Sequence, residues 1–211
     1  MNKYRLYVVL TFFSFSGSSL FAQEQQKDSL ESKWSFSASA YYYFVPDDEN
    51  TLSVIGYADY KKLHLEARYN YEDKQTGSAF AGWRFETNGK NTFGATPMLG
   101  IVFGNTNGIA PGLELDATFK RFDFYSETEY VINFSGKEDN FLYTWGELSF
   151  KPLEALSIGF CYQRTLLYQT DLEVQRGIMA KYLAKKFNIG AYYFNPFSND
   201  DLLTISLSID F

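Results

Sequence analysis

The chain of 211 residues holds one cysteine, one histidine and 5 prolines. A single cysteine, Cys161, excludes an internal disulfide and reads as a small, inert strand residue rather than a reactive thiol. No metal-ligand spacing, nucleophile motif, phosphate-cradling glycine loop or zinc signature occurs, so no cofactor, metal or catalytic residue is assigned. Acids outnumber bases, 25 to 19, for a net charge of −6, which disfavours nucleic acid as a partner. No segment approaches the roughly 20 apolar residues that a membrane-crossing helix needs. If this chain crosses a bilayer, it does so with strands.

Aromatics, by contrast, are abundant: 17 Tyr and 21 Phe stand beside a slightly negative mean hydropathy of −0.26. Membrane barrels have this composition, because polar lumen-facing residues dilute the lipid-facing ones. The amino-terminal residues fit export. Lys3 and Arg5 form a basic start, Leu6 to Phe15 a mostly apolar run, and Ser16 to Ala22 a stretch of small residues. This reads as a secretory signal peptide over 1–22 with cleavage after Ala22, although Leu20 is a poor residue three positions before the cut. Residues 23–32 then form a short periplasmic segment and 33–211 a single barrel domain.

Period-two alternation recurs between turn signals and predicts an all-β, antiparallel barrel of about twelve strands, with 10 or 14 as alternatives. The expected strands are 34–45, 51–60, 63–72, 78–87, 92–104, 109–119, 122–134, 141–150, 155–165, 173–183, 187–197 and 201–211. Their connections alternate in kind. Lys61-Lys62, Asn88 to Asn91, Lys120-Arg121, Lys151 to Glu154 and Ala184 to Lys186 are short, and each contains a base. The other set, from Pro46 to Asn50 through Ser198 to Asp201, is mostly acidic and somewhat longer, yet too short to form a large plug. With both termini inside, the basic turns fall on the periplasmic side and the acidic loops outside. Tyr60, Phe119, Phe122, Phe150, Tyr182 and Phe187 flank the basic turns in one phase, as an interfacial girdle would. Between girdles that phase is apolar, as in Leu63, Leu65, Ala67 and Tyr69, where a soluble barrel would be polar.

The last segment alternates through Leu203, Ile205, Leu207 and Ile209 into Phe211. It resembles the final strand of bacterial outer-membrane, porin-like β-barrels, in which a terminal Phe serves as the insertion signal. Leu65 to Glu72, Thr96 to Gly104 and Tyr168 to Asp171 are also similar to segments of an outer-membrane barrel family that brings no activity with it. The resemblance implies the outer membrane of a Gram-negative-type cell, with membrane lipid and the barrel-insertion machinery as partners. The apolar outer faces suit lipid and a second copy of the chain equally, so a homo-oligomer stays open.

The opposite phase carries the charge: His64, Glu66 and Arg68; Arg84; Glu114 and Asp116; Asp123, Glu127 and Glu129; and Glu147. Charges at membrane depth are costly, so they are expected to face water or each other. Two readings follow. One is a passive pore for small solutes, roughly 10 Å wide by barrel geometry and cation-leaning through its acidic wall. The other is a closed structural scaffold knitted by Arg–carboxylate bonds, with inward Tyr57, Phe80, Met98, Tyr125 and Trp145 filling the lumen. A lipid-modifying enzyme is a minor third, because His64 lies near the periplasmic end, away from outer-leaflet lipid. Arg164 and Arg176 share the outward phase of Tyr162 and Ile178, which would bring them in reach of outer-leaflet lipid phosphates; the favoured reading is a local bulge that turns them inward instead.

Overall fold

A computed structural model describes residues 33–46, 48–167 and 172–211. The expected signal peptide and periplasmic segment, and the Tyr168 to Asp171 stretch, lie outside the described residues.

The alternation read from the sequence becomes a wall of strands: β1 Ser35–Phe44, β2 Thr51–Tyr60, β3 Leu63–Tyr69, β4 Thr76–Trp83, β5 Phe85–Glu86, β6 Thr92–Gly104 and β7 Gly108–Phe119. It continues with β8 Phe122–Asn133, β9 Phe141–Leu153, β10 Leu156–Arg164, β11 Gln175–Leu183, β12 Phe187–Phe194 and β13 Leu202–Asp210. Every strand pairs antiparallel with its neighbours. β1 pairs with β13 and β4 with β6, so the sheet closes on itself. The short β5 continues β4 past a break at Arg84 and pairs with the same partner, β6. The result is a closed antiparallel barrel of 12 strands, as the sequence predicts. Closure leaves no sheet edge unpaired, the condition a barrel must meet in lipid.

Local chemistry sets the ends. β2 and β3 are joined by Lys61-Lys62 alone, with Lys61 in the left-handed region at φ 57, and Lys120 takes the same φ between β7 and β8. The expected strand over 63–72 stops at Tyr69, because Asn70 adopts φ 53 and begins the turn into β4. The expected strand over 187–197 stops likewise at Phe194, before left-handed Asn195.

The two faces separate cleanly. On β13, Leu203, Ile205, Leu207 and Ile209 are exposed outward while Leu202, Thr204 and Ser206 are buried inward. At the basic rim, Trp34, Phe36, Trp83, Phe85, Phe119, Phe122 and Tyr182 form an exposed aromatic girdle; Tyr42, Phe44, Tyr69, Phe103, Tyr130 and Phe134 form another at the acidic rim. The exposed band between them is aliphatic, including Leu99, Ile101, Leu113, Leu148 and Ile158. An apolar belt between two aromatic rings is a surface matched to hydrocarbon rather than to water.

Candidate functional site

Below the basic rim the lumen opens into a vestibule of about 450 Å³. Asp59, Glu114, Asp123 and Glu147 line it, opposed by Lys151 and Lys181. Lys151 pairs with Asp123 at 2.7 Å, and Lys181 pairs with Glu147. Glu147 also accepts hydrogen bonds from Tyr192 Oη (2.9 Å) and Trp145 Nε1 (3.1 Å). Tyr41, Tyr57, Tyr71, Tyr125 and Trp145 narrow the vestibule toward the barrel centre.

There the lumen is filled. The Arg68 side chain, 0% exposed, reaches from β3 to Glu127 (2.7 Å) and Glu129 on β8, and also contacts Glu66 and Glu72 (3.4 Å). Its guanidinium sits over the rings of Phe80 (4.3 Å) and Tyr71 (4.6 Å). Arginine suits this position because its fork distributes donors over several carboxylates and stacks on aromatic faces. Gly100 makes room for the Phe80 ring, which any Cβ there would strike. Tyr71 in turn packs on Tyr143 at 4.8 Å and donates to Glu127 at 2.8 Å.

Above this layer residues 165–167, which follow β10, reach over the lumen. Leu166 N–H donates to the Glu72 carbonyl at 3.3 Å, and Thr165 Oγ1 donates to the Tyr71 carbonyl at 3.3 Å. Leu167 is 1% exposed. The connections are expected to be too short for a large plug; these few residues nevertheless reach the turn after β3, on the opposite side of the ring. A second cavity, of about 460 Å³, lies at the acidic rim and is lined by Thr106, Asn133, Glu138, Phe141 and Leu166. On β9, Phe141 touches this outer cavity and Trp145 the inner vestibule, with Tyr143 between. The barrier is therefore about four residues of strand, on the order of 10 Å along the axis.

The sequence-selected residues distribute as follows. Glu66, Arg68, Glu127 and Glu129 meet in the central layer, while Glu114, Asp123 and Glu147 face the vestibule. Arg84 pairs with Asp116 at 2.9 Å and with Glu86 at 3.1 Å near the basic rim. The acidic wall and the bases expected on another wall are thus joined across the lumen. His64 lies between Asp59 (Nδ1–Oδ1, 2.7 Å) and Glu66 (Nε2–Oε1, 2.6 Å). Arg164 and Arg176 keep outward parity, and the β10–β11 register from Leu156↔Tyr182 to Gln163↔Gln175 carries no bulge. Arg164 donates to the carbonyls of Leu172 and Leu142, both at 2.6 Å. As vestibule residues, Lys151 and Lys181 escape the sequence reading, whereas Glu72 falls on the inward face of the expected strand over 63–72. Lys181 was findable by parity, since it alternates with buried Met179 along β11.

No family model matches the sequence, and no curated protein does. Solved structures do. The chain is similar to the KdgM porin with a TM-score of 0.58 at 13% identity, covering 83% of this chain and 99% of that one. The KdgM porin in complex with disordered oligogalacturonate aligns with a TM-score of 0.57 at 13% identity, over 83% of this chain and 99% of that one. A structure titled for the mechanism behind in-meso crystallization of membrane proteins gives 0.56 at 15%, covering 84% and 83%. What these chains share with this one is the closed antiparallel wall, and the fold is that of a porin-like outer-membrane β-barrel.

Proposed function

We propose that the protein is a passive channel of the outer membrane for small solutes, cation-leaning, with the vestibule facing the periplasm and the acidic loops facing outward. In the conformation described, its outward half is shut. The observation that carries this reading is the vestibule: a space of about 450 Å³ cut into a porin-like barrel, lined by four carboxylates against two ammonium groups, beneath a barrier only about 10 Å thick. A fixed excess of negative charge in a narrow aqueous space concentrates cations there. His64 has carboxylate neighbours at both ring nitrogens, an arrangement that serves electrostatics rather than hydrolysis. Arg176, exposed and outward near the acidic rim, suits contact with lipid phosphate.

Full burial of Arg68 favours a second reading, a closed scaffold barrel without transport. Planar-bilayer conductance of the purified chain separates the two, with reversal potential measured across a salt gradient. Channel activity requires discrete conductance steps, in the parent or in a variant whose β10–β11 connection is loosened at Leu166 and Leu167. Silence in both leaves the scaffold reading.

A further inference from the structure

Three residues, His64, Glu66 and Glu114, converge where the vestibule meets the central layer, each offering one ligand atom within 4.8 Å of the others. The first two residues are i and i+2 on β3, so they share its inward face. Glu114 comes from β7, with β4 and β6 between, and β4 is cut back at Gly82, which stands opposite His64 in the register. A Cβ at Gly82 would meet Thr96 Cγ2 at 2.9 Å, so this wall has no room for a larger side chain.

The remaining polar atom of each residue is already held. Asp59 Oδ1 takes His64 Nδ1 at 2.7 Å, which leaves Nε2 directed at the two carboxylates. Glu66 gives its other oxygen, Oε2, to Arg68. Tyr125 Oη donates to Glu114 Oε1 at 2.7 Å. Glu114 Oε2 faces the same imidazole nitrogen at 3.6 Å, from a residue more than nine-tenths buried. Two carboxylates thus converge on one ring nitrogen, with the Arg68 guanidinium paired to only one of them, a concentration of buried negative charge that a cation offsets.

We propose that His64, Glu66 and Glu114 form a binding site for one divalent transition-metal ion of the zinc class, oriented by Asp59, Arg68 and Tyr125. A histidine with its second nitrogen on a carboxylate, and ligating carboxylates anchored through their other oxygens, is the outer-shell arrangement that such sites use. With metal–ligand distances of about 2.0–2.2 Å, tetrahedral ligands sit roughly 3.4 Å apart. The His64–Glu114 separation of 3.6 Å meets that already, and the His64–Glu66 pair opens from 2.6 Å as the metal replaces the proton between them. Binding therefore takes up one M²⁺ and releases that proton. Asp59 and Glu114 line the vestibule, so the ion enters from the basic rim.

The test uses the mature chain without an affinity tag, folded in detergent, titrated with Zn²⁺ by calorimetry in two buffers of different ionisation enthalpy. Expected is one tight Zn²⁺ per barrel with release of a proton, and Co²⁺ giving visible absorption bands that Zn²⁺ bleaches. His64→Ala and, separately, Glu114→Gln abolish the tight event, and Asp59→Asn weakens it by about 10- to 100-fold. Each variant is checked for the heat-dependent gel shift of a folded barrel, and one folded variant suffices. No Zn²⁺ uptake by the parent, or equal uptake after His64→Ala in a folded barrel, overturns the site. The readout is equilibrium binding in micelles, so it stands or falls independently of whether the barrel conducts.

Discussion

The N–H of Leu166 donates to the carbonyl of Glu72 at 3.3 Å, joining connections that follow β10 and β3, strands six places apart in the ring of twelve. The bond spans the mouth from one wall to the opposite one. The closed state thus depends on a strap held by two hydrogen bonds and by burial of Leu167. Leu167→Ala removes about 2–5 kcal/mol of packing from the closed arrangement while leaving the wall intact. The expected outcome is a higher open probability in planar bilayers with an unchanged heat-dependent gel shift. Open probability equal to the parent's counts against the strap as the closing element.

Arg68 is the only described cation touching Glu127 and Glu129. Replacing it by Leu leaves those carboxylates and Glu66 buried around an apolar side chain, a loss of about 3–5 kcal/mol for a broken buried ion pair. Urea unfolding in lipid vesicles, followed by tryptophan fluorescence, reads this loss. Adding Glu127→Gln and Glu129→Gln to the Arg68→Leu chain restores much of it, because uncharged amides tolerate the site. An Arg68→Leu barrel as stable as the parent contradicts the assignment.

In the vestibule each lysine masks a particular carboxylate, Lys181 on Glu147 and Lys151 on Asp123. Lys181→Gln uncovers a negative charge, and reversal potentials across a salt gradient move further toward cation selectivity. Asp123→Asn moves them back toward zero. Both shifts shrink as ionic strength rises, since a Debye length of about 10 Å at 0.1 M falls to about 3 Å at 1 M. A selectivity indifferent to both substitutions rules out the vestibule as the selecting element.

The lipid belt makes a depth-dependent expectation. Leu99 is 60% exposed at the middle of β6, and Phe103 lies on the same face near its acidic end. Lysine at Leu99 costs about 2–4 kcal/mol in a bilayer, and at Phe103 about 0–1 kcal/mol. Equal costs at the two depths, measured by denaturant unfolding in vesicles, argue against a bilayer centred on Leu99.

Outside the wall, the Glu49 backbone N–H and the Lys74 ammonium, 3.3 Å away, hold the Asp48 carboxyl below the ordinary carboxylate range. A depressed acid contributes stability above its unfolded value and loses it as pH falls through the folded one. Lys74→Ala raises the Asp48 midpoint toward the ordinary range in an NMR titration. Because the pair is exposed, barrel stability changes little.

Alternation made the wall legible. Leu203, Ile205, Leu207 and Ile209 against Thr204 and Ser206 assign both faces of β13, and Lys61-Lys62 marks a hairpin without help from packing. The same parity put Glu66, Arg68, Glu127 and Glu129 inside, but parity fixes a face and not a direction around the ring. Arg68 finds Glu129 sixty-one residues later, across the lumen, and nothing in a linear period encodes that meeting. Glu72 was read as one more inward strand position, whereas left-handed Asn70 ends the strand and turns Glu72 beneath the strap. Leu166 and Leu167 looked like an ordinary connection, because their partners belong to the far wall.

The Arg68–Glu129 contact also ties two hairpins together energetically. The β3–β4 hairpin brings Arg68 together with Glu66 and Glu72, so its buried charges largely compensate one another. The β7–β8 hairpin presents Glu114, Asp116, Glu127 and Glu129 on one face with bases only at its Lys120-Arg121 turn. Inserted alone, that hairpin would expose carboxylates to hydrocarbon at a cost of several kcal/mol. The Arg68 guanidinium removes part of that cost, so burial of residues 108–133 in the finished wall is energetically tied to the presence of β3.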